Sequence, residues 1–228
     1  MKIISWNINS IRKRLQLLEQ LLLVEKPDIV YLQETRVSNA LWPTIESQYH
    51  IYREGEKSGR NGVAILSKWP LILEEGDSRY LKASLTHNGT SYHLLNLYVP
   101  NGFSVSASRE HKIFFLNNIQ NKYQHLKNLI IGGDFNIIPS IAHSTIGDLF
   151  SPEEHLAFRS LSEKLQVIAP RGLTWWDYRT YKFNPRLGMT LDFYLLSHCL
   201  EARGLDVIST YRNVENCSDH APIILNLS

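Results

Sequence analysis

Ile3-Ile4-Ser5-Trp6-Asn7-Ile8 and Asp28-Ile29-Val30-Tyr31-Leu32-Gln33-Glu34, with Ile11, Leu15, Leu18 and Leu22 between them, decide the fold class of this chain. The two outer runs are apolar almost to their ends, as strands covered on both faces must be. The four residues between them have the spacing of a helix face. Ser10 stands where an N-cap belongs, and Pro27 closes the segment. Strand, helix, strand is the pattern of a layered α/β protein.

Working outward, His50-Ile51-Tyr52-Arg53 and Gly62-Val63-Ala64-Ile65-Leu66 read as short strands. Leu81 to Leu85 and Tyr92 to Val99 alternate around His87-Asn88-Gly89-Thr90, and Asn-Gly between such runs predicts a hairpin. Arg109 to His125 reads as a helix. Leu129-Ile130-Ile131-Gly132-Gly133-Asp134-Phe135-Asn136 repeats the grammar of a buried strand with a polar end. Ser151-Pro152-Glu153-Glu154 is a capping box with proline at the first helical position, predicting a helix to about Leu165. Leu173 to Arg179, Thr190 to Leu196, Leu205 to Tyr211 and Ala221 to Leu227 are strand-like. Many strands and few helices, in two similar halves, predict two packed sheets with helices outside. The 228 residues suit one domain with one large core.

Bulk properties narrow the function less. A net charge of +2 permits a nucleic-acid partner without arguing for one, so basic groups would have to gather on one face. Cys199 and Cys217 fit no zinc spacing and read as reduced thiols of a cytosolic protein. Met1 to Asn7 runs straight into a strand without the features of a signal peptide. No stretch approaches the ~18 apolar residues of a membrane span. The expected location is cytoplasmic, with no membrane partner.

Polar residues sit at the ends of four apolar strands: Asn7 and Asn9, Gln33-Glu34, Asp134-Phe135-Asn136, and Ser218-Asp219-His220. Function gathers where loops leave a rigid sheet. Mg²⁺ takes hard oxygen ligands, and Glu34, Asp219 and Asn7 supply two carboxylates and a neutral oxygen. The lack of a His/Cys cluster argues against zinc. His220 can give charge or a proton to a phosphate, or act as a base. Singly, each group has a plainer explanation as a solvated strand edge, a turn or a surface pair. Their recurrence at strand ends favours phosphoryl hydrolysis.

Ser5-Trp6-Asn7-Ile8-Asn9, Leu32-Gln33-Glu34-Thr35, Gly62 to Leu66, Tyr98-Val99-Pro100-Asn101-Gly102, Gly133-Asp134-Phe135-Asn136, Thr174-Trp175-Trp176-Asp177-Tyr178-Arg179, Leu191-Asp192-Phe193 and Ser218-Asp219-His220-Ala221-Pro222 occur in that order. Together they resemble the exonuclease III type of abasic-site endonuclease, of the endonuclease/exonuclease/phosphatase family. The resemblance spans almost the whole chain. The Tyr-Val-Pro-Asn-Gly and Thr-Trp-Trp-Asp-Tyr-Arg blocks are the most specific to its DNA-repair branch. It implies a four-layer α/β sandwich of two mixed sheets flanked by helices, over residues 1–228. It implies incision of double-stranded DNA 5′ to abasic sites, leaving a 3′-hydroxyl, with action on blocked 3′ ends besides. The implied cofactor is Mg²⁺, with Mn²⁺ as a substitute, and the implied state is a monomer.

The resemblance also implies roles. Glu34, Asn7 and Asp219 would hold the metal. Asp134 would orient or deprotonate the attacking water, Asn136 would bind the phosphate, and His220, oriented by Asp192, would contact it. Tyr98 would hydrogen-bond the phosphate or the leaving oxygen. Asn9 and Asn101 would touch the DNA backbone. Trp175 would wall a pocket for a flipped, baseless deoxyribose, with Met189 at its edge and Trp176 in the scaffold. Arg12-Lys13-Arg14 and Lys57 to Arg60 would contact phosphates or form a solvated face. The chain departs from the family in a shorter segment between Pro139 and Ser151. It also has Thr190 where an arginine is usual and Arg36 where a lysine is usual, and lacks the usual Asp and Arg over Leu165 to Pro170. The alternative is a less specific deoxyribonuclease or a phosphatase of the same superfamily.

Overall fold

The computed structural model describes residues 1–102, 106–177 and 186–228. In chain order the main elements are β1 (Lys2–Asn7), α1 (Leu15–Glu25), β2 (Ile29–Gln33), β3 (His50–Glu54), β4 (Val63–Ser67), β5 (Ile72–Asp77), β6 (Tyr80–His87) and β7 (Thr90–Tyr98). They continue with α2 (Ser106–Tyr123), β8 (Leu129–Asp134), α3 (Pro152–Ser162), β9 (Leu165–Ile168), β10 (Asp192–Ser197), β11 (Ala202–Val207) and β12 (Ile223–Leu227).

Two mixed six-stranded sheets result, one ordered β11-β12-β1-β2-β4-β3 and the other β5-β6-β7-β8-β10-β9. The centre of each is a parallel pair, β1 with β2 and β7 with β8, flanked by antiparallel partners. The alternation of side chains across each strand builds the layers. Ile3, Ile29 and Tyr31 face Leu94, Ile130 and Tyr194 between the sheets. Ile4, Val30 and Leu32 face the other way, onto Leu18 and Leu21 of α1. Leu129, Ile131 and Leu195 pack on Leu116 and Ile119 of α2 and Leu161 of α3. The outcome is the expected four-layer sandwich: α1, sheet, sheet, then α2 and α3.

Beside the Tyr31 and Tyr194 hydroxyls, which reach the Ile130 and Ile3 carbonyls of the opposite sheet, an amide tie crosses between the sheets. Gln33 Nε2 donates to Asn96 Oδ1 at 2.7 Å and to Ser5 Oγ at 3.1 Å. Asn96 Nδ2 in turn donates across the gap to the carbonyls of Leu32 and Ala64, each at 2.9 Å. Buried amides cost free energy unless bonded, so this tie favours one register of sheet on sheet.

Several local expectations need correction. Ser10 does not cap α1: its φ is 87 and its side chain makes no capping bond, while Ile11–Lys13 forms a 3₁₀ turn before α1 begins. The edge strands β5 and β9 were not expected. Ile72 and Leu73 of β5 are exposed, so the alternation that marks a half-buried strand is missing there. The last strands are shorter than predicted, and Ser209–Arg212 is a 3₁₀ turn rather than strand. In the run Leu173 to Arg179, Trp175 makes only isolated bridges, to Met189 and His220, and Tyr178 and Arg179 lie outside the described residues. The Asn88-Gly89 hairpin is as expected, with both residues at positive φ. So is the capping box of α3.

Candidate active site

Where β1, β2 and β8 end, the chain turns sharply through left-handed residues: Asn9 at φ 45, Glu34 at φ 49 and Asn136 at φ 46. Asparagine tolerates this conformation, but glutamate adopts it only where the surroundings impose it. At Glu34 they do. Its carbonyl accepts the Ser10 N–H at 2.7 Å, and the next residue, Thr35, is bonded to Ile11 and Gly62 at 3.0 and 3.1 Å. The three turns aim their side chains at one edge of the sandwich.

The loop before β12 is pinned to the same edge. Ser218 Oγ donates to the Asn7 carbonyl at 2.7 Å and accepts the His220 N–H at 3.1 Å. Trp6 Nε1 donates to the His220 carbonyl at 3.2 Å. Arg14 is buried and donates to the carbonyls of Asn9, Asn216 and Cys217. It therefore belongs neither to a solvated face nor to a phosphate contact: it fastens two site loops together.

A cavity of about 400 Å³ opens at this edge. Glu34, Tyr98, Asp134, Asn136, Asp219 and His220 form its polar wall. Leu149, Trp175, Met189 and Leu191 form an apolar wall, and Arg36 and Asn101 complete the rim. Asn7 and Asp192, both fully buried, lie beneath it. Asn7 Nδ2 donates to Glu34 Oε1 at 3.0 Å and to Asp134 Oδ2 at 2.9 Å, while its Oδ1 accepts the Asn9 N–H at 3.1 Å. It thus ties Glu34 to Asp134. Asn9 reaches Asp219, donating Nδ2 to Oδ1 at 2.8 Å.

His220 is held at both ring nitrogens. Nδ1 lies 2.8 Å from Asp192 Oδ2, and Nε2 lies 3.8 Å from Asp134 Oδ2. Asp134 also accepts from the Asn136 N–H at 2.9 Å and from Asn136 Nδ2 at 3.3 Å. Burial pushes Asp134 up to about 7; Asp192 adds repulsion, while His220 and the hydrogen bonds from Asn136 and Asn7 hold the rise back. Burial opposes the imidazolium of His220, but the carboxylates of Asp192 and Asp134 carry it up to about 10. At neutral pH the proton of this cluster rests on His220, and Asp134 is poised to take one. Burial, with Glu34 and Asp134 nearby, raises the Tyr98 phenol well above its usual range, so it stays a hydrogen-bond donor. For Asp219, burial is outweighed by His220 and the Asn9 bond, and its carboxyl is lowered.

The donor set is one of hard oxygens. Glu34 and Asp219 face the cavity, and neither cysteine lines it. Glu34 Oε2 accepts from Arg36 Nε at 2.8 Å and also from Nη2, so positive charge seats at that carboxylate. These residues fit a hard divalent cation. Asp134, Asp192 and His220 also present ligand atoms within 4.8 Å of one another, but their close bonding to each other makes them better suited to holding a proton.

Trp175 sits between Met189 and His220 in the bridges that carry the apolar wall. Trp176 is buried beneath the Arg212 guanidinium, in the scaffold as expected. Sequence reasoning missed the supports. Thr174 Oγ1 accepts the N–H groups of Leu191 and Asp192 at 2.9 and 3.1 Å. Thr190 is buried, donates to the Gly172 carbonyl at 2.7 Å and bonds His143 through its N–H, so it joins two loops. Leu149, inside the shortened segment, was not singled out, since an isolated leucine in a loop carries no periodic signal.

Hard carboxylates beside a buried His–Asp pair at one edge of a two-sheet sandwich suit phosphoryl chemistry, and the relatives make the class a phosphodiester hydrolase. The chain belongs to the Endonuclease/Exonuclease/phosphatase family, whose sequence pattern matches residues 4–220. It is 30% identical to an exodeoxyribonuclease III of Haemophilus influenzae, over 98% of each chain. The structure of an AP endonuclease from Archaeoglobus fulgidus superposes with a TM-score of 0.89 at 26% identity, covering 100% of this chain and 99% of the other. A 3′-5′ exonuclease from Neisseria meningitidis superposes with a TM-score of 0.88 at 27% identity, over the whole of both chains. Among the described residues no helix is long and apolar enough to cross a membrane.

Proposed function

We propose that the chain acts, as a single domain and a monomer in the reducing cytoplasm, as a Mg²⁺-dependent DNA-repair phosphodiesterase that incises duplex DNA 5′ to abasic sites. One observation carries the proposal: a single cavity is lined both by Glu34, Tyr98, Asp134, Asn136, Asp219 and His220 and by Trp175, Met189 and Leu191. The first suits a phosphate, and the second suits a deoxyribose turned out of the helix without its base.

Glu34 and Asp219 would hold the cation, with Asn7 orienting Glu34 from below. When bound, Mg²⁺ offsets negative charge that grows on the phosphate. Asp134 receives the proton of the attacking water. His220, kept positive by Asp192, donates Nε2–H to a phosphate oxygen. Asn136 bonds another; of its two amide bonds, the 3.3 Å one to Asp134 is the one a phosphate oxygen takes over, while the 2.9 Å one to Val99 stays. Tyr98 donates its phenol proton in a hydrogen bond to the leaving 3′-oxygen. Asn9 and Asn101 contact the strand beside the lesion.

The test is a labelled duplex with one tetrahydrofuran abasic mimic, with Mg²⁺, with Mn²⁺ and with EDTA. A single metal-dependent cut 5′ to the mimic, with undamaged duplex left intact, is the expected result. Equal cutting of undamaged duplex would discard the lesion reading while leaving the hydrolase standing. A second reading, processing of blocked 3′ ends, would use the same phosphate-facing groups of the cavity. A 3′-phosphate on the same duplex separates the two.

A further inference from the structure

Lys112 of α2 has no exposed surface, an unusual place for a lysine. Its Nζ donates to the backbone carbonyl of Asn136 at 2.6 Å and to Glu154 Oε1 at 2.8 Å, and it lies over the Phe150 ring at 4.5 Å. Glu154 is equally enclosed, at 2%. Its other oxygen accepts the Ser151 N–H at 2.8 Å, completing the capping box of α3, and lies 3.4 Å from Arg109. The pair also supports the loop that carries Asn101: a Cβ on Gly102 would meet Glu154 Oε1 at 2.5 Å and Lys112 Cδ at 3.4 Å.

Asn136 is left-handed, and its amide must be aimed while its own carbonyl points away from the cavity. A buried cation on that carbonyl fixes the peptide plane, and a buried anion behind the cation keeps it charged. A simple ion pair could sit on the surface; enclosing one costs desolvation, which does not favour the fold on its own account. This pair touches both asparagine-bearing loops of the site.

We propose that Lys112 and Glu154 are positioning residues for hydrolysis, holding the left-handed Asn136 peptide and the Asn101–Gly102 loop against the cavity so that Asn136 meets the phosphate in one orientation. This rests on the phosphate role given to Asn136 above. Misplacing such a group by about 1 Å costs on the order of 10²-fold in turnover.

The test is the variant Lys112→Met with Glu154→Gln. It removes both charges together, so neither is left buried and unpaired, and glutamine keeps the capping acceptor. Turnover is measured on a duplex bearing a tetrahydrofuran mimic and a 3′-phosphate, with Mg²⁺, alongside thermal unfolding. The expected result is a folded protein with kcat lower by about 10²-fold and KM little changed. Combined with Asn136→Ala, the variant should lower kcat hardly further than Asn136→Ala alone, because groups acting through one another are not additive. Gly102→Ala is an independent arm, since its Cβ displaces the Glu154 carboxylate without removing a charge; it should show the same non-additive loss. Parent-like kcat in the folded double variant, or a loss that adds in full to that of Asn136→Ala, overturns the proposal alone. If the double variant does not fold, a parent-like or fully additive Gly102→Ala overturns it. Parent-like kcat in Asn136→Ala overturns the phosphate role, and the positioning proposal with it.

Discussion

His220 Nδ1 and Asp192 Oδ2 lie 2.8 Å apart, although they come from chain segments that serve different sheets. Asp192 opens β10 in one, and His220 precedes β12 in the other. The pair therefore joins the sheets at the floor of the cavity, and in the proposed mechanism its charge is what meets the phosphate. Histidine normally loses its proton near pH 6.5, whereas here two carboxylates carry it up to about 10. In Asp192→Asn one of those carboxylates is gone, so the titration should move downwards and kcat should fall by roughly 10²-fold. Ring-nitrogen NMR of the metal-free protein follows it directly. A parent ring that titrates at the ordinary histidine value contradicts the assignment.

Asp134→Asn and His220→Asn should each cost about 10²–10³ in kcat, or about 2.7–4 kcal/mol of barrier. In the proposed mechanism the two act on one phosphate, so the combined variant should lose less than the product of the single losses. Single-turnover kinetics on the abasic duplex measure this. An active Asp134→Asn enzyme would remove water activation from that residue.

Glu34→Gln and Asp219→Asn should raise the Mg²⁺ concentration needed for half-maximal activity by about 10–100-fold, the range seen when the supports of a metal site are altered. Isothermal titration with Mg²⁺ alone checks the binding without reference to turnover. Unchanged binding in both variants would place the cation elsewhere.

Stability should depend on pH through Glu154. Burial opposes its charge, but Lys112 and the Ser151 N–H win and lower its carboxyl in the folded protein. The folded protein thus holds the carboxylate more strongly than the unfolded chain does. That stability is present above the unfolded value of about 4.3 and is lost as pH falls through the lower, folded value. Glu154→Gln should cost about 3–5 kcal/mol at neutral pH, because Lys112 is left enclosed without its partner. Below about pH 4 the difference between parent and variant should shrink. Urea titrations at both pH values show whether it does.

Trp175→Ala should erode discrimination more than catalysis. Without that wall, the ratio of cutting at the abasic mimic to cutting of undamaged duplex should fall, while Mg²⁺-dependent hydrolysis persists. Competition between the two duplexes in one tube reads the ratio. An unchanged ratio would move the lesion pocket away from Trp175.

The central strands and the polar groups at their ends were legible in the sequence because burial on both faces leaves long apolar runs. Asn136, Glu34 and His220 interrupt those runs where nothing structural asks for them. Of the edge strands, β3 and β11 were read, but β5 was not because Ile72 and Leu73 are both exposed and break the alternation, and β9 was not because it is only four residues following a helix. Arg14 was misread for another reason. A buried arginine bonded to carbonyls looks, in sequence, like any exposed one, since its partners at Asn216 and Cys217 lie far along the chain. Lys112 was hidden by a helix whose apolar face is broken by it. Asn7 was read as a ligand from its place at a strand end and from the family resemblance; the three-dimensional arrangement adds that its amide bridges two carboxylates.

The tie from Gln33 through Asn96 to the carbonyls of Leu32 and Ala64 gives the sandwich a keyed joint close to its working edge. Glu34 and Asp219 travel with one sheet, and Tyr98, Asp134 and Asp192 with the other. Neither half holds a complete set of reacting groups, so a sideways slip of one strand spacing would dismantle the centre without unfolding either sheet. The joint thus sets, in the same few contacts, the packing of sheet on sheet and the assembly of the site.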